Sequence, residues 1–418
     1  MNVRKNELKK AATSPIIIGL LTLFIVFNSI IIFQHSYVKD ELKVLNKMVD
    51  TFGYKIDDKM EANFNNYYDT QLKKLNEIIN KKISRKYESV SEFYEEQNYY
   101  IEDTYNKEEI EFIKELGIVE AYFYTMKDID EVYSKVDIMG IAEGEIKKYG
   151  LSGKAADTVR NQYESFSKRF QQLIKNREHK NLFFLGKVYG MYSLLFKTLF
   201  QAILFEIIIL VVFITSYLVN DEFDNNTQAI TYSTKRGRNL VKDKLYVSIF
   251  SNILVATVIL ITGLGLYFII FDYSRLWNVP ISSYFNTDKN FIYMSWWNMS
   301  FVQYLFSGIG LIYVITLLFT GIVFIIARAI RNNYIVFFIF TIIFGLALIT
   351  SIAPTNSNAI FIKSFTPFWL IMNSFLWFME SGAFSTFKYY ELLTVGIWVV
   401  LLLIFSFLSI KRFKKQDI

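Results

Sequence analysis

Glu206 is the one acidic or basic residue within the apolar run Thr198–Asn220, TLFQAILFEIIILVVFITSYLVN. A charged carboxylate at mid-membrane costs about 2.5–3.5 kcal/mol on insertion scales, so it must face protein or water, or carry a proton. Two roles fit: a residue lining a substrate path or subunit interface, or a side chain that snorkels outward or bonds a neighbouring helix. Lys197 lies on the opposite helical face and makes a poor direct partner. The run is followed by Asp221–Lys244, DEFDNNTQAITYSTKRGRNLVKDK, which opens acidic and closes basic. Its middle, NTQAITYS, suits a short helix with acids before it and bases after it, as the helix dipole favours. Ile230 and Tyr232 would supply its apolar contacts. The bland alternative is an ordinary connector whose charges only set topology.

Other chemistry is thinly represented. The chain has no cysteine and two histidines, His35 and His179, which excludes disulfides, thiol catalysis and Cys-ligated metal. No G-x-x-x-x-G-K-[ST] phosphate loop, His-Glu-x-x-His motif or nucleophile-elbow serine occurs. Gly263-x-Gly265 and Gly308-x-Gly310 sit inside apolar runs, where close helix packing is expected. No metal, cofactor or enzymatic activity is expected in this chain.

Of the 418 residues 53% are hydrophobic, and several runs exceed the roughly 20 residues that cross a hydrocarbon core. Met1–Lys10 is short and basic, and Ala11–Gln34 ends without a cleavage site, so it reads as an uncleaved first span. Further spans are expected at Thr198–Asn220, Leu245–Phe271, Met299–Ala327, Tyr334–Ala353 and Leu392–Ile410. Ser364–Met379 is apolar but too short to cross, and is expected as short re-entrant or interfacial helices.

Residues 36–180 are polar, with 24 Lys/Arg against 28 Asp/Glu, hence slightly acidic. Apolar residues at helical spacing from Leu42 to Ile83, and the seam Ala156, Val159, Tyr163, Phe166, Phe170, Leu173, predict two amphipathic helices paired as a stalk. Ser152 is the expected N-cap of the second. Between them, about Glu88–Gly150 is expected as a helical head. Its tyrosines 94, 99, 100, 105, 122 and 124 serve packing or form a contact surface.

Lys and Arg in short loops fix orientation. Inner segments hold fifteen (4, 5, 9, 10, 235, 236, 238, 242, 244, 328, 331, 411, 412, 414, 415) and short outer loops four (275, 289, 363, 388). The net charge of +6 is therefore topology, and no nucleic-acid partner is expected. The expected fold is an all-α membrane protein of six transmembrane helices. Both termini are cytoplasmic, and a helical extracellular stalk and head lies between helices one and two. The segments are 1–35, 36–180, 181–220, the cytoplasmic loop 221–244, 245–353, 354–391 and 392–418.

The loop and its surroundings resemble the permeases of type-2 ATP-binding-cassette exporters. The matching residues are Glu222, Thr227, Ile230, Tyr232, Ser233, Arg236 or Arg238, and Lys244; Thr234 stands where that family usually has proline. The layout of six spans with short apolar helices between the last two is similar, whereas the 145-residue outer insert departs from it. The resemblance implies that the loop is a coupling helix seated in a cytoplasmic ATPase dimer, which would hold ATP and Mg. It also implies a second permease chain, identical or sister, and a multi-pass place in a bacterial plasma membrane. Abundant Lys, Asn, Ile and Phe suggest a Gram-positive source. Cargo is expected to be a peptide, antimicrobial or lipid-like molecule, exported or removed. The alternative is a sensor or scaffold signalling through a partner.

Overall fold

The computed structural model describes residues 2–97, 101–186, 193–234, 237–288, 291–349 and 353–415. Among these the protein is helical apart from isolated bridges and one ladder of two-residue strands, Thr287–Asp288 with Phe291–Ile292. Five helices are long and apolar enough to cross a membrane: α2 (Pro15–Gln34), α10 (Phe200–Asp224, led in by a π turn at Ser193–Leu199), α12 (Leu240–Ile270), α13 (Phe301–Ala329) and α17 (Tyr390–Lys415). The chain is an all-α, multi-pass membrane protein.

The expected fifth span differs. Helix α14 is Asn333–Leu348, 16 residues. At 1.5 Å per residue that is about 24 Å, shorter than the roughly 30 Å hydrocarbon core. Residues 350–352 of the expected span lie outside the described residues.

Helix α10 packs on α13, α12, α14 and α2 and forms the axis of the bundle. It is buried nearly all round, whereas α17 and α2 leave large apolar faces exposed, as suits contact with hydrocarbon. Glycine permits the close approaches: a Cβ on Gly263 would lie 3.2 Å from Ile203 Cδ1, and one on Gly308 3.1 Å from Phe200 Cε1. Asn252 Nδ2 of α12 donates to Thr215 Oγ1 of α10 (2.9 Å) and Thr320 Oγ1 of α13 (2.8 Å), tying three helices with one amide.

The polar region comprises α3 (Val38–Phe52), α4 (Asp58–Ile83), α5 (Val90–Gln97), α6 (Ile101–Thr104), α7 (Lys107–Ser134), α8 (Ile138–Lys148) and α9 (Gly153–Lys175). The run expected as one helix breaks at Gly53, whose φ of +79° suits glycine. Asp57 then caps α4 by accepting from Met60 N (2.8 Å). Both α3 and α4 pack on α7. The seam of α9 is buried as its spacing requires, but the two-helix stalk is not formed: α9 packs chiefly on α8. Its aromatic residues also find partners in two later loops. Phe166 meets the Trp296 ring edge-on at 4.8 Å, and Tyr163 OH donates to Glu380 Oε1 (2.6 Å). The Ser152 side chain makes no capping bond; its backbone N–H donates instead to Thr355 O (3.0 Å). Thus α9 braces the polar region onto the loops 272–300 and 353–390. The second of these folds as a 3-10 turn (Asn358–Ser364), α15 (Pro367–Met372), a further 3-10 turn (Ser374–Leu376) and α16 (Gly382–Ser385), so the run Ser364–Met379 holds one short helix and one 3-10 turn.

Of the tyrosines, 105 and 122 are buried and 124 is exposed, while 99 and 100 lie outside the described residues. Tyr122 OH donates to Phe183 O and accepts from Leu185 N, each at 3.0 Å, which is a packing role.

Candidate functional site

The chain turns sharply after α10. Asn226 takes a left-handed φ of 56°, and Thr227 N donates to Glu222 O (2.8 Å). A six-residue helix follows, α11 (Gln228–Ser233), then a 3-10 turn at Gly237–Asn239 that leads into α12. Gly237 has no substitute there, since a Cβ would sit 1.9 Å from Thr231 O.

This geometry brings three of the expected residues together in the interior. Lys244 ion-pairs with Glu222 Oε2, and Tyr232 OH donates to the same oxygen (3.1 Å). All three are buried, and Lys244 is only 1% exposed. Burial, reinforced by the Glu222 carboxylate, pushes the Tyr232 hydroxyl far above its usual range, so it acts as a neutral donor. The Tyr232 ring meets Phe413 of α17 edge-on (5.1 Å) and Phe223 at 5.8 Å. Arg328, at the end of α13, lies 3.6 Å from the Phe413 centroid, a cation–π contact.

The basic N-terminus, expected only as a tail, is helix α1 (Asn2–Ala12) docked on this cluster. Arg4 Nε pairs with Asp243 (2.6 Å), and Lys10 bridges Asp221 (2.5 Å) and Glu7 (2.8 Å). The N-terminal helix, the end of α10, the start of α12 and the ends of α13 and α17 therefore meet at one end of the bundle.

The other expected residues face outward. Thr227 and Ser233 are exposed, and Ile230 is 76% exposed. The expectation that Ile230 and Tyr232 share one apolar surface is corrected: α11 turns the tyrosine in and the isoleucine out. Arg236 lies outside the described residues, and of Arg238 only the backbone, in the 3-10 turn, is described.

Glu206 does not snorkel. It is 4% exposed, and Asn28 Nδ2 of α2 donates to its Oε2 (2.7 Å). Lys197 stands over the Phe375 ring (5.4 Å to the centroid). His179 is buried with its ring 4.4 Å from that of Tyr133, and burial lowers its pKa to about 4.

Sequence reasoning missed Arg4, Glu7, Lys10, Asn28, Asp243 and Phe413. Glu7 among four cations, and Asn28 alone among apolar residues, were the available signals. Chemically, the cluster at the bundle end holds no poised nucleophile. It fastens α11 to α10, α12 and α17. No protein-family model, curated protein or solved structure matches the chain.

Proposed function

We propose that this chain is the permease subunit of an ATP-driven transporter, with hydrolysis on a separate ATPase dimer and α11 as the coupling helix. The observation that carries this reading is the division of labour on α11. Tyr232 anchors the helix to Glu222 and Lys244, while Ile230 on the same short helix is presented outward. An exposed apolar side chain on an anchored element suits insertion into a partner's groove. The anchors carry any displacement of α11 to α10, α12 and α17 together. A partner can move the bundle only if it binds one of its arrangements more tightly than another, and such a linkage supplies the means.

The positive-inside bias supports a reading with this end in the cytoplasm and the polar region outside. With α1 and the end of α17 meeting there, the reading requires an even number of crossings between them. On this reading α14 counts as the sixth. A second permease chain would pack on the apolar faces that α2 and α14 leave open, with lipid around the rest. The cargo is a peptide, antimicrobial or lipid-like molecule, and the setting a Gram-positive plasma membrane. The test is purification from native membranes: an ATPase subunit accompanies the wild-type chain, and Ile230→Asp loses it. An intact chain that never carries an ATPase would favour the sensor alternative.

A further inference from the structure

Helices α2 and α10 meet through two polar side chains in an apolar setting. Asn28 is 2% exposed and Glu206 4%. One hydrogen bond joins them, from Asn28 Nδ2 to Glu206 Oε2 at 2.7 Å. The second oxygen on each side, Asn28 Oδ1 and Glu206 Oε1, is buried and has no hydrogen-bond partner. An ionised carboxylate only accepts, and so does an amide oxygen. With Glu206 charged, neither orphan could satisfy the other, and a buried charge would be held by a single hydrogen bond. A protonated carboxyl is a donor as well as an acceptor. One proton on Oε1 supplies the donor that Oδ1 lacks, and leaves Oε2 to accept from Nδ2. Both orphans are then satisfied in a closed acid–amide pair.

We propose that Glu206 and Asn28 form a binding site for one proton, filled when α2 and α10 are packed as here. Parting the helices would admit water to the carboxyl and release the proton, so proton binding and helix packing are reciprocally linked.

Among the described residues, the helices packed against this pair offer no rival for this role. Helix α2 contains no ionisable residue. Helix α12 carries Lys242, Asp243, Lys244 and Tyr246 at its start and Tyr267 at its end. Asp243 and Lys244 have the partners described above, and Tyr267 OH bonds Tyr273 OH (3.0 Å). On α13, Tyr304 OH donates to Phe375 O, Tyr313 OH bonds Thr257, and Arg328 is held on Phe413. Tyr334 of α14 is exposed, and on α1 Lys10 is held between Glu7 and Asp221. From α12, Gly263 faces Asn28 with no side chain. The inference needs only this geometry and stands apart from the permease reading.

The test is infrared spectroscopy on the full chain in lipid nanodiscs at neutral pH, beside thermal unfolding. A protonated-carboxyl band in the wild type that vanishes in Glu206→Gln is the expected result. Glutamine keeps the shape and supplies an N–H to Oδ1, so Glu206→Gln should unfold at the wild-type midpoint, with Glu206→Leu and Asn28→Leu lower. A wild type with no band lost on that substitution overturns the proposal. So does a Gln variant that unfolds as early as the Leu variants. If a Leu variant fails to insert, the infrared comparison of wild type and Gln still decides.

Discussion

The two ends of the protein each bury an ion pair, and the pairs are built differently. In the polar region Arg169 grips Glu178 with two parallel bonds, Nη1 to Oε1 at 2.9 Å and Nη2 to Oε2 at 2.6 Å. Its Nε also donates to Trp296 O (3.2 Å), and Asn176 Nδ2 donates to Glu178 (3.2 Å). A planar fork with its donors matched fixes orientation as well as distance. At the bundle end, Lys244 is a point charge on a flexible stem beside Glu222, and a single tyrosine hydroxyl shares the oxygen. An ammonium keeps its attraction through a change of angle that a fork would not survive. The contrast marks the polar region as a brace and the α11 clamp as a joint.

Arg169→Ala should have the largest effect, because it strands a buried carboxylate. A loss of about 3–5 kcal/mol in detergent unfolding is expected, and Arg169→Lys should recover little. Lys244→Ala strands Glu222 and should cost about 3 kcal/mol, at the lower end of the same range. The double variant Glu222→Gln/Lys244→Met should return most of that loss. If Arg169→Lys were tolerated while the double variant stayed fully destabilised, brace and joint would have to be exchanged. Tyr232→Phe removes one bond to a charged group and should cost about 1.5 kcal/mol.

The brace also carries a pH effect of its own. Burial holds His179 at about 4 against its ordinary 6.5. The unfolded chain therefore binds the proton more readily, and the stabilising contribution is present above about 6.5 and lost as pH falls towards about 4. His179→Gln should flatten this part of the unfolding profile; an equal slope in the variant would remove the histidine from the account. Ile230→Asp should have the smallest effect on stability, within about 0.5 kcal/mol, since the side chain is exposed.

Sequence periodicity marked the buried faces well and their partners poorly. The seam of α9 is buried at all six expected positions, yet the covering surfaces are α8, Trp296 and Glu380 rather than α4. A hydrophobic stripe states that a face is covered, not by what. The apolar runs located the membrane helices, and NTQAITYS gave α11 to within a residue or two. Residue type alone could not show that Lys244, one of fifteen loop cations, is buried. Nor could it show that Arg4 and Lys10 would be paired with acids more than two hundred residues away. Those pairings follow from which helix ends meet, which a linear pattern does not contain. Glu206 was conspicuous as a lone carboxylate, and its partner Asn28 became visible only once α2 and α10 stood side by side.

The central claim is that α11 is where an ATPase docks. The most direct measurement is quantitative co-purification from native membranes of the wild-type chain and Ile230→Asp, with the unfolding midpoint of each recorded. The account predicts an ATPase subunit bound to the wild type and lost from the variant, at equal midpoints. An ATPase retained in full by a stably folded Ile230→Asp chain would contradict it.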